Sequence, residues 1–404
     1  MMAGTFWQTF SAAPHRMMMF GGAVQLVAVL LYWSIELFGR YTGVWPAPAT
    51  LLPGIFAHAF LMIYTLFPFF IFGFLMTTYP RWMSGTAVPP SWYQTAFLLL
   101  TGGVMLFYVG LFHSKALLSA GVALLLAGYL TAITALWRVY RTAPAKDKFY
   151  ETCLNAALTA GTIGVAAFLL WLLSDVPFWL NLSLQAGLWW FLLPIAVSVS
   201  HRMIPFFSVC VLPDYQVYQP KLTLLPMLTF LALHGVLELL ALHRWLWLVD
   251  FPLLLLALLH SWQWQFKRSF AVRLLAILHV AFAWLSVAAA LYVINSMALF
   301  FKFGPVLGRA PLHAIAIGFL LSITLAMASR VTLGHSGREL RADTTTWVLF
   351  WGLSGVAILR IVAELPLGPH FNLLAALTWL CIAMVWSGKY GVIYLRPRLD
   401  GKPG

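Results

Sequence analysis

Charge is what this chain has least of. Only 9% of its 404 residues are Asp, Glu, Lys or Arg, while 62% are hydrophobic and the mean hydropathy is +0.89. A water-soluble domain carries about a quarter charged residues, so a soluble globule is excluded. Acids are scarcest: 11 Asp and Glu stand against 24 Lys and Arg, for a net charge of +13. That surplus is no nucleic-acid footprint, because the basic residues fall in ones and twos between apolar runs rather than along one face. The expected partner is the lipid bilayer, and no nucleic acid is expected. Cysteine is nearly missing. Cys153, Cys210 and Cys381 are odd in number and far apart, which excludes a disulfide framework, a CxxC pair and an iron–sulfur spacing. Phosphate loops, dinucleotide fingerprints and nucleophile elbows are also missing, as is any polar stretch long enough for a soluble domain.

What the chain has in abundance is long apolar runs. A helix rises about 1.5 Å per residue, so crossing a hydrocarbon core of about 30 Å takes roughly 20 apolar residues. The sequence predicts an all-α polytopic membrane helix bundle with about twelve transmembrane helices. They fall near 17–38, 54–78, 92–112, 116–138, 151–173, 177–201, 222–242, 245–264, 272–296, 311–330, 346–364 and 372–395. The chain reads as one integral-membrane domain over 1–404, with a transmembrane core of about 17–396. With the N-terminus in the cytoplasm, about 18 of the 24 basic residues fall on the inner side, those of the 139–150 and 331–344 loops among them. The positive-inside rule then predicts that both termini are cytoplasmic. The first span lacks a clear small-residue cleavage site and reads as a retained helix.

Histidine is enriched relative to charge: 11 histidines equal the 11 acids. Imidazole is largely neutral near pH 7, is buried more cheaply than a charge, and binds haem iron, copper or zinc. Depth sorts the candidates. His58, early in span two, and His313, early in span ten, both occupy the outer third. Gly54 precedes His58, while Ala314, Ala316 and Gly318 follow His313; such small residues admit either a flat macrocycle or a second helix. One reading is a bis-histidine haem between these helices, its propionates met by Arg309 or Arg360. The other is a pair of interhelical hydrogen-bonding histidines. On the inner side, His15, His201 and His335 lie at similar depth, with His279 and His260 a few turns inside their spans. Imidazoles at one level suit copper or zinc; the alternative is that each sits in the headgroup region. His335 follows His313 by 22 positions, about 33 Å of helix, so the two cannot share a metal. His234 and Glu238, four apart, face the same way on span seven and can orient a metal ligand, pass protons or join two helices. Arg360 and Glu364 repeat that spacing as an intrahelical ion pair. Met17, Met18 and Met19 offer thioethers for Cu(I), or ordinary apolar filling.

Several motifs occur in order along the chain. They are Pro14-His15-Arg16, His58, the run Gly73-Phe74-Leu75-Met76-Thr77-Thr78-Tyr79-Pro80-Arg81-Trp82, Arg202-Met203-Ile204-Pro205-Phe206-Phe207, Leu278-His279 with Trp284, His313-Ala314, and Arg330-Val331-Thr332-Leu333-Gly334-His335-Ser336-Gly337-Arg338. Over most of its length the chain thus resembles the NnrS family, haem- and copper-containing membrane proteins linked to the bacterial response to nitric oxide. The resemblance implies haem, b-type, and copper as cofactors. It also implies residence in the bacterial inner membrane and a part in denitrification or nitrosative stress, binding or redox-processing nitric oxide or another small gas. It does not say which histidine takes which metal. Depth assigns His58 and His313 to haem, and a subset of His15, His201, His279 and His335 to copper, with His279 and His335 foremost. Many members carry a second histidine two residues after the first in span two, followed by an acid; here those positions are Phe60 and Leu61. Whether the protein is an enzyme is left open. A haem with two axial histidines suits electron transfer, gas binding needs an open position, and a redox cycle needs an outside electron donor. The rival reading is a secondary transporter for a metal, haem or other small solute. Transporters favour a midplane site, whereas these histidines favour the two membrane sides.

Overall fold

A computed structural model describes residues 6–365 and 370–401 of the chain. Among the described residues every regular element is helical. After a single turn at Phe6–Phe10 come α1 (Pro14–Thr42), α2 (Gly54–Trp82), α3 (Pro90–His113), α4 (Lys115–Thr142), α5 (Phe149–Ser174) and α6 (Pro177–Val209). The second half holds α7 (Lys221–Leu239), α8 (Trp247–Gln263), α9 (Arg273–Phe300), α10 (Ala310–His335), α11 (Thr344–Val362) and α12 (His370–Tyr394). Among the described residues 11 helices are long and apolar enough to cross a membrane, and α8, with 17 residues, is a shorter apolar one. Large apolar side chains stay exposed on their outer faces, for example Leu98, Met105 and Leu222. Such surfaces suit lipid rather than water. The protein is a polytopic all-α membrane protein.

Local chemistry explains where the helices begin and end. Pro14, Pro90 and Pro177 stand in first turns, where a missing N–H costs nothing. Ser114 separates α3 from α4: its backbone N–H donates to the Gly110 carbonyl at 3.2 Å, and its hydroxyl oxygen accepts from Leu117 N–H at 3.2 Å. Asp343 caps α11 by accepting from Thr346 N–H at 2.9 Å. Among the described residues four helices contain a wider π-helical stretch: Leu61–Leu66 in α2, Ala186–Leu192 in α6, Ala314–Leu321 in α10 and Ser387–Gly391 in α12. Such widenings perturb the backbone ladder and recur at functional sites. In α2 the Tyr64 carbonyl takes a side-chain donor, Tyr129 Oη, at 3.1 Å.

The chain forms two compact units. The first comprises Met1–Phe191, Val331–Glu339 and Ala383–Gly404; the second comprises Leu192–Arg330 and Leu340–Ile382. In the first unit α3 and α4 touch backbone to backbone. A Cβ on Gly103 would lie 2.9 Å from the Gly121 carbonyl oxygen, and one on Gly121 would lie 3.0 Å from that of Gly103, so the helices approach as small-residue membrane pairs do. Phe60, Phe107 and Phe168 stack beside them, with Phe60 ring centroids 4.9 Å from Phe107 and 4.0 Å from Phe168. Met17, Met18 and Met19 are fully buried; Met18 and Met19 fill the space beside Gly73 of α2. In the second unit α9 packs against α8 and α10. Trp284 of α9 occupies the space beside Gly318, where a Cβ would meet the indole at 2.5 Å, and donates its N–H to Ser354 Oγ at 3.1 Å.

Candidate functional site

At one end of the first unit the fold brings His15 and His335 together. Pro14 opens α1, which puts His15 in its first turn, where its N–H donates to Thr77 Oγ1 at 3.2 Å. His335 ends α10. The two imidazole centroids lie 4.7 Å apart with the rings tilted by 44°, close enough for one nitrogen of each to reach a common ion at about 2 Å. His15 is buried and so is the neighbouring Arg16, whose Nη2 donates to the Arg396 carbonyl. Arg81 and Arg398 lie within electrostatic range of both histidines, and Arg398 is paired with Asp400 at 2.6 Å. The last segment of the chain is pinned over this end by Leu399 N–H donating to the Ser336 carbonyl at 3.0 Å. A field of guanidinium groups disfavours a cation in proportion to its charge. An ion of low charge is therefore the one least disfavoured at this end.

At the other end of α2, His58 stacks on Trp33 of α1, centroids 4.0 Å apart at 19°. Arg40 lies over the same indole at 5.8 Å and pairs with the buried Glu36 at 2.5 Å. Of the two readings of the small residues, the second helix is the one seen here. The space beside Gly54 does not await a macrocycle: it holds the Glu36 carboxylate, 2.5 Å from where a Cβ would stand. Gly318 likewise makes room for Trp284. Phe60 and Leu61 are buried core residues.

His201, His279 and His313 belong to the second unit. His201 meets His260 at 5.2 Å between centroids. His260 is held by two oxygens, with Nδ1 2.7 Å from the Leu256 carbonyl and Nε2 3.0 Å from Thr223 Oγ1. His279 Nε2 lies 3.3 Å from Ser208 Oγ. His313 Nδ1 is 3.0 Å from the Arg309 carbonyl. When that nitrogen carries the proton, Nε2 is left as the basic one, the arrangement common in ligating histidines. Arg360 Nη2 sits 3.3 Å from both ring nitrogens and 3.2 Å from Glu364 Oε1. Arg360 thus lies beside His313, whereas the contact Arg309 makes with His313 is through its backbone carbonyl.

A further cluster extends the His234–Glu238 pair. His234 Nδ1 is 2.7 Å from Asp250 Oδ1, His234 Nε2 is 3.6 Å from Glu238 Oε1, and Glu238 Oε2 is 3.3 Å from His243 Nδ1. Asp250 and His243 were not singled out in the sequence. Asp250 had a legible signal, as an acid within the apolar run of α8. Among the described residues no group of three or more His, Cys, Asp or Glu side chains is arranged to hold a metal ion. The metal candidates are therefore pairs.

Fold and sites together define a multi-pass helical membrane protein with paired histidines near helix ends. The chain belongs to the NnrS family: the model of that family, described as NnrS protein, matches residues 9–398. No curated protein matches it.

Proposed function

We propose that this NnrS-family protein is a copper- and haem-binding protein of the bacterial inner membrane that binds or redox-processes nitric oxide, relieving nitrosative stress. The observation that carries the copper assignment is the 4.7 Å contact between His15 and His335. Two imidazoles with no carboxylate between them suit a soft, low-charge ion, and two-nitrogen ligation leaves a position for a small neutral ligand. His279 and His201 have Ser208 and His260 as neighbours and rank behind this pair. For haem the candidate ligands are His58 in the first unit and His313 in the second. His313 has the oriented Nδ1 a ligand needs, and Arg360 beside it is a cation suited to a propionate. When bound, the metals supply the redox chemistry. The chain's own residues hold them and orient the rings, His15 Nδ1 beside Thr77 Oγ1 at 3.5 Å and His313 Nδ1 on the Arg309 carbonyl.

The test is metal analysis and absorption spectroscopy of the purified full-length protein. His15→Ala and His335→Ala should each abolish stoichiometric copper while leaving the reduced-minus-oxidised haem spectrum in place. Full copper in both variants overturns the copper site. His58→Ala and His313→Ala should each remove the low-spin signal or convert it to a five-coordinate one; an unchanged bis-histidine spectrum in both overturns the haem assignment.

A further inference from the structure

The chain of ionisable groups in the second unit is not used by the metal reading and stands apart from it. Its members step inward from the surface: the side chain of His243 is 48% exposed, that of Glu238 20%, and those of His234 and Asp250 0% and 1%. Glu238 touches both neighbours, one carboxylate oxygen toward each histidine, at 3.3 and 3.6 Å. α7 supplies His234 and Glu238 one turn apart, the turn at His243–Trp245 supplies His243, and α8 supplies Asp250. Tyr292 of α9 closes the far side, its ring edge-on to His234 at 4.7 Å. Glu238 acts electrostatically on the buried pair and His243 on Glu238, while Asp250 and Glu238 act in turn on Tyr292. Arg244, beside His243, lies over the Trp245 ring at 5.3 Å.

Asp250 is the informative member. Its Oδ1 faces His234, while its Oδ2 is buried and has no hydrogen-bond partner among the described residues. A carboxylate in that position beside a neutral imidazole is a buried net negative charge, which a membrane interior penalises. Adding one proton removes the penalty in either of two forms, a neutral carboxyl beside a neutral imidazole or an imidazolium–carboxylate pair. Glu238 nearby makes the unprotonated form costlier still.

We propose that His234 and Asp250 form a proton-binding site, loaded through Glu238 from the membrane surface that His243 faces. Each loading event moves one proton from water to His243, to Glu238 and then to the pair, whose charge rises from −1 to 0 with no change in oxidation state. The ligand is the proton itself.

The experiment is pH-difference infrared spectroscopy on the full-length protein in detergent. The parent should give pH-dependent bands from the pair, a protonated-carboxyl stretch or imidazolium ring modes, that vanish in Asp250→Asn. Glu238→Gln, a change at a partly exposed side chain, should keep those bands but slow their appearance after a pH jump by about 10²-fold, the contribution of one positioned proton carrier. Parent bands persisting in Asp250→Asn overturn the site. Loading of Glu238→Gln at the parent rate overturns the path, and that arm reads out even where Asp250→Asn fails to fold.

Discussion

At the scale of single residues, Phe60 shows how far this chain has committed a family position to packing. The ring is buried and packs against both Phe107 and Phe168, so the position carries core rather than ligand chemistry. Phe60→Ala should cost about 3–5 kcal/mol of stability, as aromatic truncations in a packed core do, with copper and haem content unchanged in the protein that folds. Thermal unfolding alongside metal analysis checks this; metal loss without loss of stability would return the position to the site. Single residues were unevenly legible in the sequence. His58, His313, His335 and the Arg360–Glu364 pair stood out because ionisable groups are rare in apolar runs and i,i+4 spacing is local. Trp33 against His58 and Asp250 against His234 were not legible. Each joins residues on different helices, and hydropathy carries no information on how helices are rotated toward one another.

At the scale of elements, the twelve expected spans correspond one to one with α1–α12, and the differences lie at the ends. The 177–201 and 311–330 spans run on to Val209 and His335. Arg202 and Arg330 look like membrane borders in the sequence, yet the helices continue past them. The guanidinium of Arg330 lies 3.9 Å from the centroid of the Phe207 ring, where a cation–π contact offsets its burial. The π-helical stretches were invisible from composition, since a widened turn is set by the side chains packed around it. The glycine contact between α3 and α4 yields a sharp test. Gly121→Leu must push the Phe107 backbone N from 2.7 Å and the Gly103 carbonyl from 3.0 Å, and should destabilise the protein by about 1–3 kcal/mol or more through overpacking. Gly355→Leu is the control: a Cβ there meets nothing within 4 Å, so unfolding in detergent should leave it near the parent. Equal stability of both variants would mean that α3 and α4 do not pack through this contact.

At the scale of the whole molecule, topology turns on α8. Its 17 residues give about 25 Å of helix, a few ångströms short of a hydrocarbon core of about 30 Å. With 11 other spans among the described residues, the termini share a side only if α8 also crosses. Its surface argues that it does. Leu248, Phe251, Leu255, Leu258 and Trp262 are all exposed, spaced three or four apart along the full helix, which is a continuous stripe for lipid. Trp262, well exposed, stands at the far end, where interfacial indoles belong, and Lys267 and Arg268 follow on the side where positive charge collects. A mismatch of a few ångströms is met by local thinning of the bilayer. The prediction compares two single-cysteine variants in a background lacking Cys153, Cys210 and Cys381, labelled on intact cells with a membrane-impermeant thiol reagent. Leu242→Cys, before α8, should label from outside, and Lys267→Cys, after it, only once the cytoplasm is opened. Labelling of Lys267→Cys from outside would leave α8 on one side and put the termini on opposite faces. It would also carry Lys267, Arg268 and Arg273 outside and exchange the sides of every later segment, cancelling the charge asymmetry that sets the orientation.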